Sequence, residues 1–482
     1  MFGKKSNFIN GAWVEGEGEI ININPSDTND VIDTYSNASS KQLNEAVSAA
    51  QKAQKDWEKV GIEKRANILH DIGNELIKQS KEIGTLLSRE EGKTLPEGIG
   101  EVIRSGQQFQ YYAASALRQF GENIASTREG VSVEMTREPV GVCGIISPWN
   151  FPIAIAAWKS APAMAFGNAV VLKPASQTPA SAIALTKIIS DQKDIPDGLF
   201  NLVLGGGGTI GQQISGHKDI NAISFTGSVG VGQTIYMEAA KSMKKMQLEM
   251  GSKNPLVVMD DADLDIAVAC ATNGAYGGTG QKCTASSRLI VHEKVYKEFI
   301  EKLIENLKGL KVGHALEESS QMGPVSSETQ LQSNLDYIEI GKKEATLAYG
   351  GNPMNMRTPG HYMEPTLFID GNNKTTINQE EMFGPIACVI PVKSYEEGLE
   401  VANDTIFGLS SGIITQSLSK AADFKKNIKT GVTTVNLPTA GLDYHVPFGG
   451  RKASSFGPRE QGTYAHEFFT HVKTTYVSPG KI

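Results

Sequence analysis

Residues 140–152, VGVCGIISPWNFP, decide how this chain is to be read. Val140–Ile146 is an unbroken apolar run of strand length, and it stops at a turn flanked by two prolines, Ser147-Pro148-Trp149-Asn150-Phe151-Pro152. An apolar run of this length bounded by turn residues predicts a strand buried on both faces. The pattern recurs at Ala169–Leu172, Leu199–Leu204 and Ala222–Phe225. Pro179–Ser190 and Ile210–Ser215 lie between these runs and suit helical crossovers, the first with Thr178 as N-cap and Pro179 at the first helical position. Buried strands alternating with helices predict a mainly parallel sheet, with ligand chemistry at the C-terminal edge of its strands.

After Gly251 a similar alternation resumes. Asn254–Met259, a helix from Leu264, Arg288–His292, a helix from Val295, Ala387–Pro391 and Gly431–Asn436 read as a second α/β unit. Ahead of both, Phe8–Trp13 and Ile20–Ile23 read as short strands closed by Asn24-Pro25. Ser39 with Gln42 makes a capping box for a helix whose apolar face is Leu43, Val47, Ala50 and Trp57. Ala66, Leu69, Ile72 and Leu76 repeat the helical period, and a polar helix is expected from Pro96 towards Phe120. Such a chain of 482 residues exceeds one ordinary core, so two or more domains are expected.

A net charge of −7 argues against a general nucleic-acid or anionic-membrane binder. No apolar run approaches the roughly 18–20 residues of a membrane span, and the start carries no signal-peptide pattern. Four cysteines in so long a chain do not make a disulfide framework, which points to a cytoplasmic protein with reduced thiols.

One of those thiols stands apart. Cys143, Cys270 and Cys388 fall in apolar patterns that suit burial, whereas Cys283 follows Gly277, Gly278 and Gly280 in a backbone able to approach a ligand closely. Lys282 beside it is expected to favour the thiolate. Glu249, in Leu248-Glu249-Met250-Gly251, closes a lysine-rich stretch read as helical and is either a surface charge or a working carboxylate. Asn150 is either a structural turn residue or a fixed amide donor of the kind that stabilises a developing oxyanion. Gly206-x-Gly208-x-x-Gly211 formally fits a dinucleotide fingerprint but lacks the acidic residue about 20 positions further on. Phe225-Thr226-Gly227-Ser228 and Lys173-Pro174-Ala175-Ser176 also end predicted strands and offer an anion-binding helix start, a cation and hydroxyls. The histidines are dispersed without metal-ligand spacing, so no metal is expected.

Taken together, PWNFP, LKPAS, FTGS-x-x-x-G, LEMGSKNP, GQKC, Glu381-Met382-Phe383-Gly384-Pro385, Asn436 and Pro447–Lys452 resemble the aldehyde dehydrogenase superfamily over nearly the whole chain. The resemblance implies that Cys283 is the nucleophile, that Asn150 with the Cys283 N–H binds the oxyanion, and that Glu249 activates the hydrolytic water. It further implies that Trp149, Lys173, Ser176, Gly227 and Ser228 line the cofactor cleft, with Glu381 and Phe383 positioning the nicotinamide ribose and ring. The implied fold is α/β: two Rossmann-like doubly wound parallel-sheet domains and a small β oligomerisation hairpin. Residues 1–121 and 140–250 would bind the dinucleotide, 251–450 would form the catalytic domain, and 122–139 with 466–482 the oligomerisation segment of a homodimer or homotetramer. Thr463–Val477 alternates as an edge strand would.

Two positions depart from the family pattern. Ser176 replaces a glutamate common in NAD-preferring members, so NADP use is expected, with NAD also accepted. Ser455 replaces the usual glycine, which leaves the local loop shape open. Gly457–Gly462 and the preceding VPFGGRKASS look most like α-ketoglutarate-semialdehyde (2,5-dioxopentanoate) dehydrogenases, with succinate-semialdehyde or broad-specificity enzymes next. A CoA-acylating enzyme and a non-catalytic structural member are further alternatives. An ω-oxo acid needs a cation, and Lys159, Arg288 and Arg459 are the candidates.

Overall fold

A computed structural model describes residues 3–118 and 121–480. The outermost residues of the expected domains, 1–2, 119–120 and 481–482, lie outside the described residues, as does Phe120, the expected end of the polar helix; that helix runs Leu95–Ala116.

The four predicted buried runs are the centre of an eight-stranded sheet. Its order is Ser455–Phe456, Lys245–Glu249, Ala222–Thr226, Val142–Ile146, Ala169–Lys173, Phe200–Leu202, Asn7–Ile9 and Ala12–Val14. The five strands from Lys245–Glu249 to Phe200–Leu202 run parallel, while the flanking N-terminal hairpin and Ser455–Phe456 pair antiparallel. Apolar run and strand coincide here because every residue of Val142–Ile146 and Ala169–Lys173 is buried. Helix Pro152–Ala165 is buried along its whole length, as its all-round apolar composition requires. Trp57, from the helix Ser40–Lys59, packs behind it and donates its indole N–H to the Met164 carbonyl at 2.8 Å.

A second, seven-stranded sheet has the order Thr346–Tyr349, Thr366–Ile369, Ile386–Val392, Arg288–His292, Pro255–Val258, Ser410–Ile414, Val432–Val435. All its pairings are parallel except the first. Glu122–Ala125, Ser132–Pro139 and Thr470–Val477 form a separate three-stranded sheet with Ser132–Pro139 in the middle. Glu17–Asn24 and Asp27–Asn37 form a long two-stranded hairpin.

Four local expectations need correction. Glu249 ends a strand, not a helix: Lys245–Glu249 pairs in register with Ala222–Thr226, and that pairing overrides a lysine-rich composition. Thr463–Val477 is only half a strand, because Ala465–Phe469 coils to bury Phe468 and Phe469. Thr178 stands at the expected helix start, yet its hydroxyl makes no cap. Glu90 accepts the Ala180 and Ser181 N–H groups instead, at 2.7 and 2.8 Å. Ser455–Phe456, outside every expected domain range, joins the first sheet beside Leu248–Glu249. Among the described residues, no helix is long and apolar enough to cross a membrane.

Candidate active site

The parallel register brings the predicted motifs to one edge. Ile146 lies level with Lys173 and Phe225, and Thr226 lies level with Glu249. The turn Ser147–Pro152, the segment Gly227–Ser228 and the Glu249 carboxyl therefore leave the sheet side by side. Facing them are the N-terminal ends of the second sheet's strands, preceded in the chain by Ser252–Asn254, by the Cys283 loop and by Glu381–Phe383. A cavity of about 280 Å³ between the two edges is lined by Trp149, Asn150, Thr226, Gly227, Ser228, Cys283, Glu381 and Phe383. Gln330, Ser333, Tyr337 and Met382 also line it, with Pro148, Met250 and Gly251.

Cys283 is half-buried in this wall, whereas the other three cysteines are buried. Its loop is held from below: the Cys283 carbonyl accepts from the Asn254 amide at 2.8 Å and from the Ser252 hydroxyl. Glycine is required at Gly280, whose φ of +67° is left-handed and whose absent Cβ would overlap the Gly384 carbonyl. Burial, then the carboxylates of Glu249 and Glu381, push the Cys283 thiol up to about 12. Lys282 does not offset this. Its ammonium is turned onto the Asn273 carbonyl at 2.8 Å, so the expected activation by the neighbouring charge is not what the loop is built for. The sulfur does have its own backbone N–H directed at it.

Asn150 is buried and fixed. It donates one amide hydrogen to the Gln281 carbonyl at 3.0 Å, which leaves the second for the cavity, while its own carbonyl accepts from Lys93 at 2.6 Å. Lys93 is in turn paired with Glu101 at 2.6 Å, and the other oxygen of Glu101 accepts the Ile153 and Ala154 N–H groups at 3.0 and 3.1 Å. One carboxylate thus caps the buried helix Pro152–Ala165 and, through Lys93, clamps the turn that carries Asn150.

Glu249 is buried behind the cavity wall rather than in the lining. Its Oε2 accepts from the Ser455 hydroxyl at 2.6 Å. Burial and the charge of Glu460 hold its carboxyl well above the usual range, against the opposing pull of Ser455, Lys159 and Arg459. Glu381 accepts from the Ser252 N–H at 2.8 Å, and burial raises its carboxyl to about 7. Trp149 and Phe383 meet edge to face at 5.3 Å, with Phe383 at a φ of +54°.

Lys173 and Ser176 stand apart from this cavity, at the next strand end. The Lys173 ammonium is buried, donates to the Pro174 carbonyl at 2.7 Å and is lowered to about 8 by desolvation. Ser176 is exposed, 3.4 Å from the Gly205 carbonyl. None of the three candidate substrate cations is free. Lys159 is buried against Glu460 and Ser224. Arg288 is fully buried, donating to Asn373 and to the carbonyls of Lys253, Val401 and Ala402. Arg459 donates to the Gly450 carbonyl.

The residues also fit a dinucleotide. The twelve-residue helix Val229–Ala240 begins at Ser228 without a side-chain cap, so its first N–H groups are open to an anion. Beside it, the buried Thr226 hydroxyl has no hydrogen-bond partner among the described residues. Fold and site together point to a nicotinamide-dependent oxidoreductase.

The chain matches the aldehyde dehydrogenase family over residues 13–475. It belongs to that family and is an NAD(P)-dependent oxidoreductase acting on aldehydes. It is similar to the α-ketoglutaric semialdehyde dehydrogenase of Bacillus subtilis, 42% identical over 480 residues and 98% of each chain. It is likewise similar to the 2,5-dioxopentanoate dehydrogenase of Saccharolobus solfataricus, 37% identical over 96% of this chain and 97% of that one. Among solved structures, betaine aldehyde dehydrogenase from Staphylococcus aureus in complex with NAD+ superposes with a TM-score of 0.96, at 32% identity over 99% of this chain and 96% of that one.

Proposed function

We propose that the protein oxidises an ω-oxo acid, with α-ketoglutarate semialdehyde as its substrate, through a covalent Cys283 adduct. The reading rests on one observation: Cys283 and Asn150 share a cavity with Trp149, Gly227, Ser228, Glu381 and Phe383. The names of the relatives from B. subtilis and S. solfataricus favour this aldehyde over succinate semialdehyde.

In this scheme the Cys283 thiol passes its proton to solvent water in the cavity, the freed sulfur bonds to the aldehyde carbon, and the carbonyl oxygen takes the negative charge. The second Asn150 hydrogen and the Cys283 N–H are the donors for that oxygen, preorganised by the Gln281 carbonyl and by the Lys93 clamp. The oxidised nicotinamide, when bound, supplies a cationic ring that accepts hydride. Trp149 and Phe383 would form an aromatic wall for the ring, Glu381 would hold the adjoining ribose, and Gly227 and Ser228 would open the helix start to phosphate. After oxidation the acyl group remains on sulfur as a thioester. Glu249 then takes a proton from water, the water oxygen bonds to the acyl carbon, and the carbon–sulfur bond breaks to release the acid. The eight-stranded sheet would carry the dinucleotide and the seven-stranded sheet the nucleophile. The exposed edge strand Thr470–Val477 would pair in a homodimer or homotetramer.

A panel of ω-oxo acids, aliphatic and aromatic aldehydes, assayed with each cofactor and without CoA, tests the substrate. The highest kcat/KM is expected with 2,5-dioxopentanoate, and a higher value with succinate semialdehyde or an unbranched aliphatic aldehyde overturns the assignment.

We further assign NADP as the preferred cofactor, with NAD accepted. At Ser176 the exposed side chain carries no carboxylate to repel a 2′-phosphate. Ser176→Glu is expected to raise the ratio of NAD to NADP kcat/KM by roughly tenfold or more, the scale of one close charge repulsion. An unchanged ratio removes Ser176 from the selectivity.

A further inference from the structure

The serine that interrupts the family's glycine pattern hydrogen-bonds to the carboxyl of Glu249. Strand Ser455–Phe456 pairs antiparallel with Leu248–Glu249, with Ser455 directly opposite Glu249. The Ser455 Oγ accepts the Gly450 N–H at 2.6 Å and donates its hydrogen to Glu249 Oε2 at 2.6 Å. Because the oxygen is occupied as an acceptor by a backbone group, its hydroxyl hydrogen is left for the carboxyl. The turn is braced from its far side, where Arg459 donates to the Gly450 carbonyl. Glu249 Oε1 lies over Gly449, which has a φ of +144° and where an added Cβ would stand 2.7 Å from that oxygen and 2.8 Å from Arg459 Nη1. One oxygen of Glu249 is therefore packed on a glycine and the other is held by a serine.

We propose that Ser455 is a positioning residue for the deacylation step, fixing the rotamer of the Glu249 carboxyl behind the cavity wall by its hold on Oε2. The proposal rests on the reading of Glu249 as the water-activating base. The charged groups facing Glu249 are Glu460 and Arg459 from the C-terminal segment, Lys159 from the helix Pro152–Ala165, and Cys283 from its loop. Glu460 disfavours ionisation, and the Ser455 hydrogen bond, Lys159 and Arg459 favour it. The hydroxyl hence acts in two ways, fixing the rotamer and easing loss of the proton.

Ser455→Ala removes the hydroxyl and keeps the strand pairing, which is made by backbone groups. Ser455→Thr restores it. In single-turnover and steady-state assays, Ser455→Ala is expected to leave the first burst of reduced nicotinamide and the aldehyde KM unchanged. The steady-state rate should fall by roughly tenfold at neutral pH, and its acid limb should move upward by about one pH unit, since a lost hydrogen bond to the charged form raises a carboxyl's pKa. Raising the pH should recover much of the rate, and Ser455→Thr should behave as the parent protein. An unshifted pH profile, or equal loss of burst and steady state, overturns the proposal. Failure of the underlying reading looks different: Glu249→Gln would then deacylate as fast as the parent.

Discussion

Cys283→Ala is expected to abolish aldehyde oxidation, lowering kcat by at least about a thousandfold, while cofactor binding measured by quenching of protein fluorescence stays within about twofold of the parent. The size follows from the role: a nucleophile that carries the acyl group has no substitute among its neighbours, and its loss removes a step rather than weakening one. The other three cysteines are buried, so iodoacetamide should label Cys283 first. Inactivation should track one label per chain by mass spectrometry. With the thiol pushed up to about 12, the thiolate fraction rises with pH, and alkylation of the cofactor-free protein should accelerate by roughly tenfold per pH unit between 7 and 10. Substantial turnover by Cys283→Ala, or a pH-independent labelling rate, contradicts the scheme.

That thiol presents a problem which the geometry also frames. Two carboxyls, Glu249 and Glu381, act on Cys283 in the sense that disfavours ionisation, and the lysine beside it is committed to Asn273. Burial acts in the same sense and is the larger cause, so the thiol of the cofactor-free protein is held in its protonated form at neutral pH.

How much of this was legible in the sequence depends on the range of the interaction. The central strands were visible because Val142–Ile146, Ala169–Lys173 and Ala222–Thr226 are buried, and burial on both faces is written as an apolar run. Strand Lys245–Glu249 was not, since Lys-Met-Gln-Leu-Glu carries no β-branched residue and is made a strand only by its neighbour. Cys283 stood out through its glycines, which encode a local backbone need. The direction of Lys282 did not, because a carbonyl nine residues away sets it. The clamp on Asn150 comes from Lys93, 57 residues distant, and Ser455 reaches Glu249 across 206 residues. Neither pairing has a local pattern. Ser455 could be noticed as a departure, but what it touches required the fold. Lys159, Arg288 and Arg459 show the converse: a basic side chain is easy to count, but its partners, Glu460 and Ser224 for Lys159, Asn373 and three carbonyls for Arg288 and the Gly450 carbonyl for Arg459, are set by the fold.

Glu249→Gln is expected to separate the two halves of the reaction. The amide is nearly isosteric and can still accept from Ser455, so packing is retained. The variant should release a burst of reduced nicotinamide close to one equivalent per active site and then stall, with steady-state kcat reduced by about 100- to 1,000-fold, the usual scale for loss of a positioned general base. The sign of the pH dependence follows from burial and from Glu460, which hold the carboxyl above its ordinary range. Glu249 accepts a proton only once it has lost its own, so the parent's kcat should rise with pH along a limb displaced upward from the usual carboxylate region. In Glu249→Gln that limb should vanish, while the pH dependence of the burst persists because it belongs to Cys283. Adding a small thiol to the stalled variant should restore turnover by taking the acyl group directly, without proton transfer from water. If burst and steady state fall together, Glu249 acts before the thioester forms, as the group that takes the proton from the sulfur.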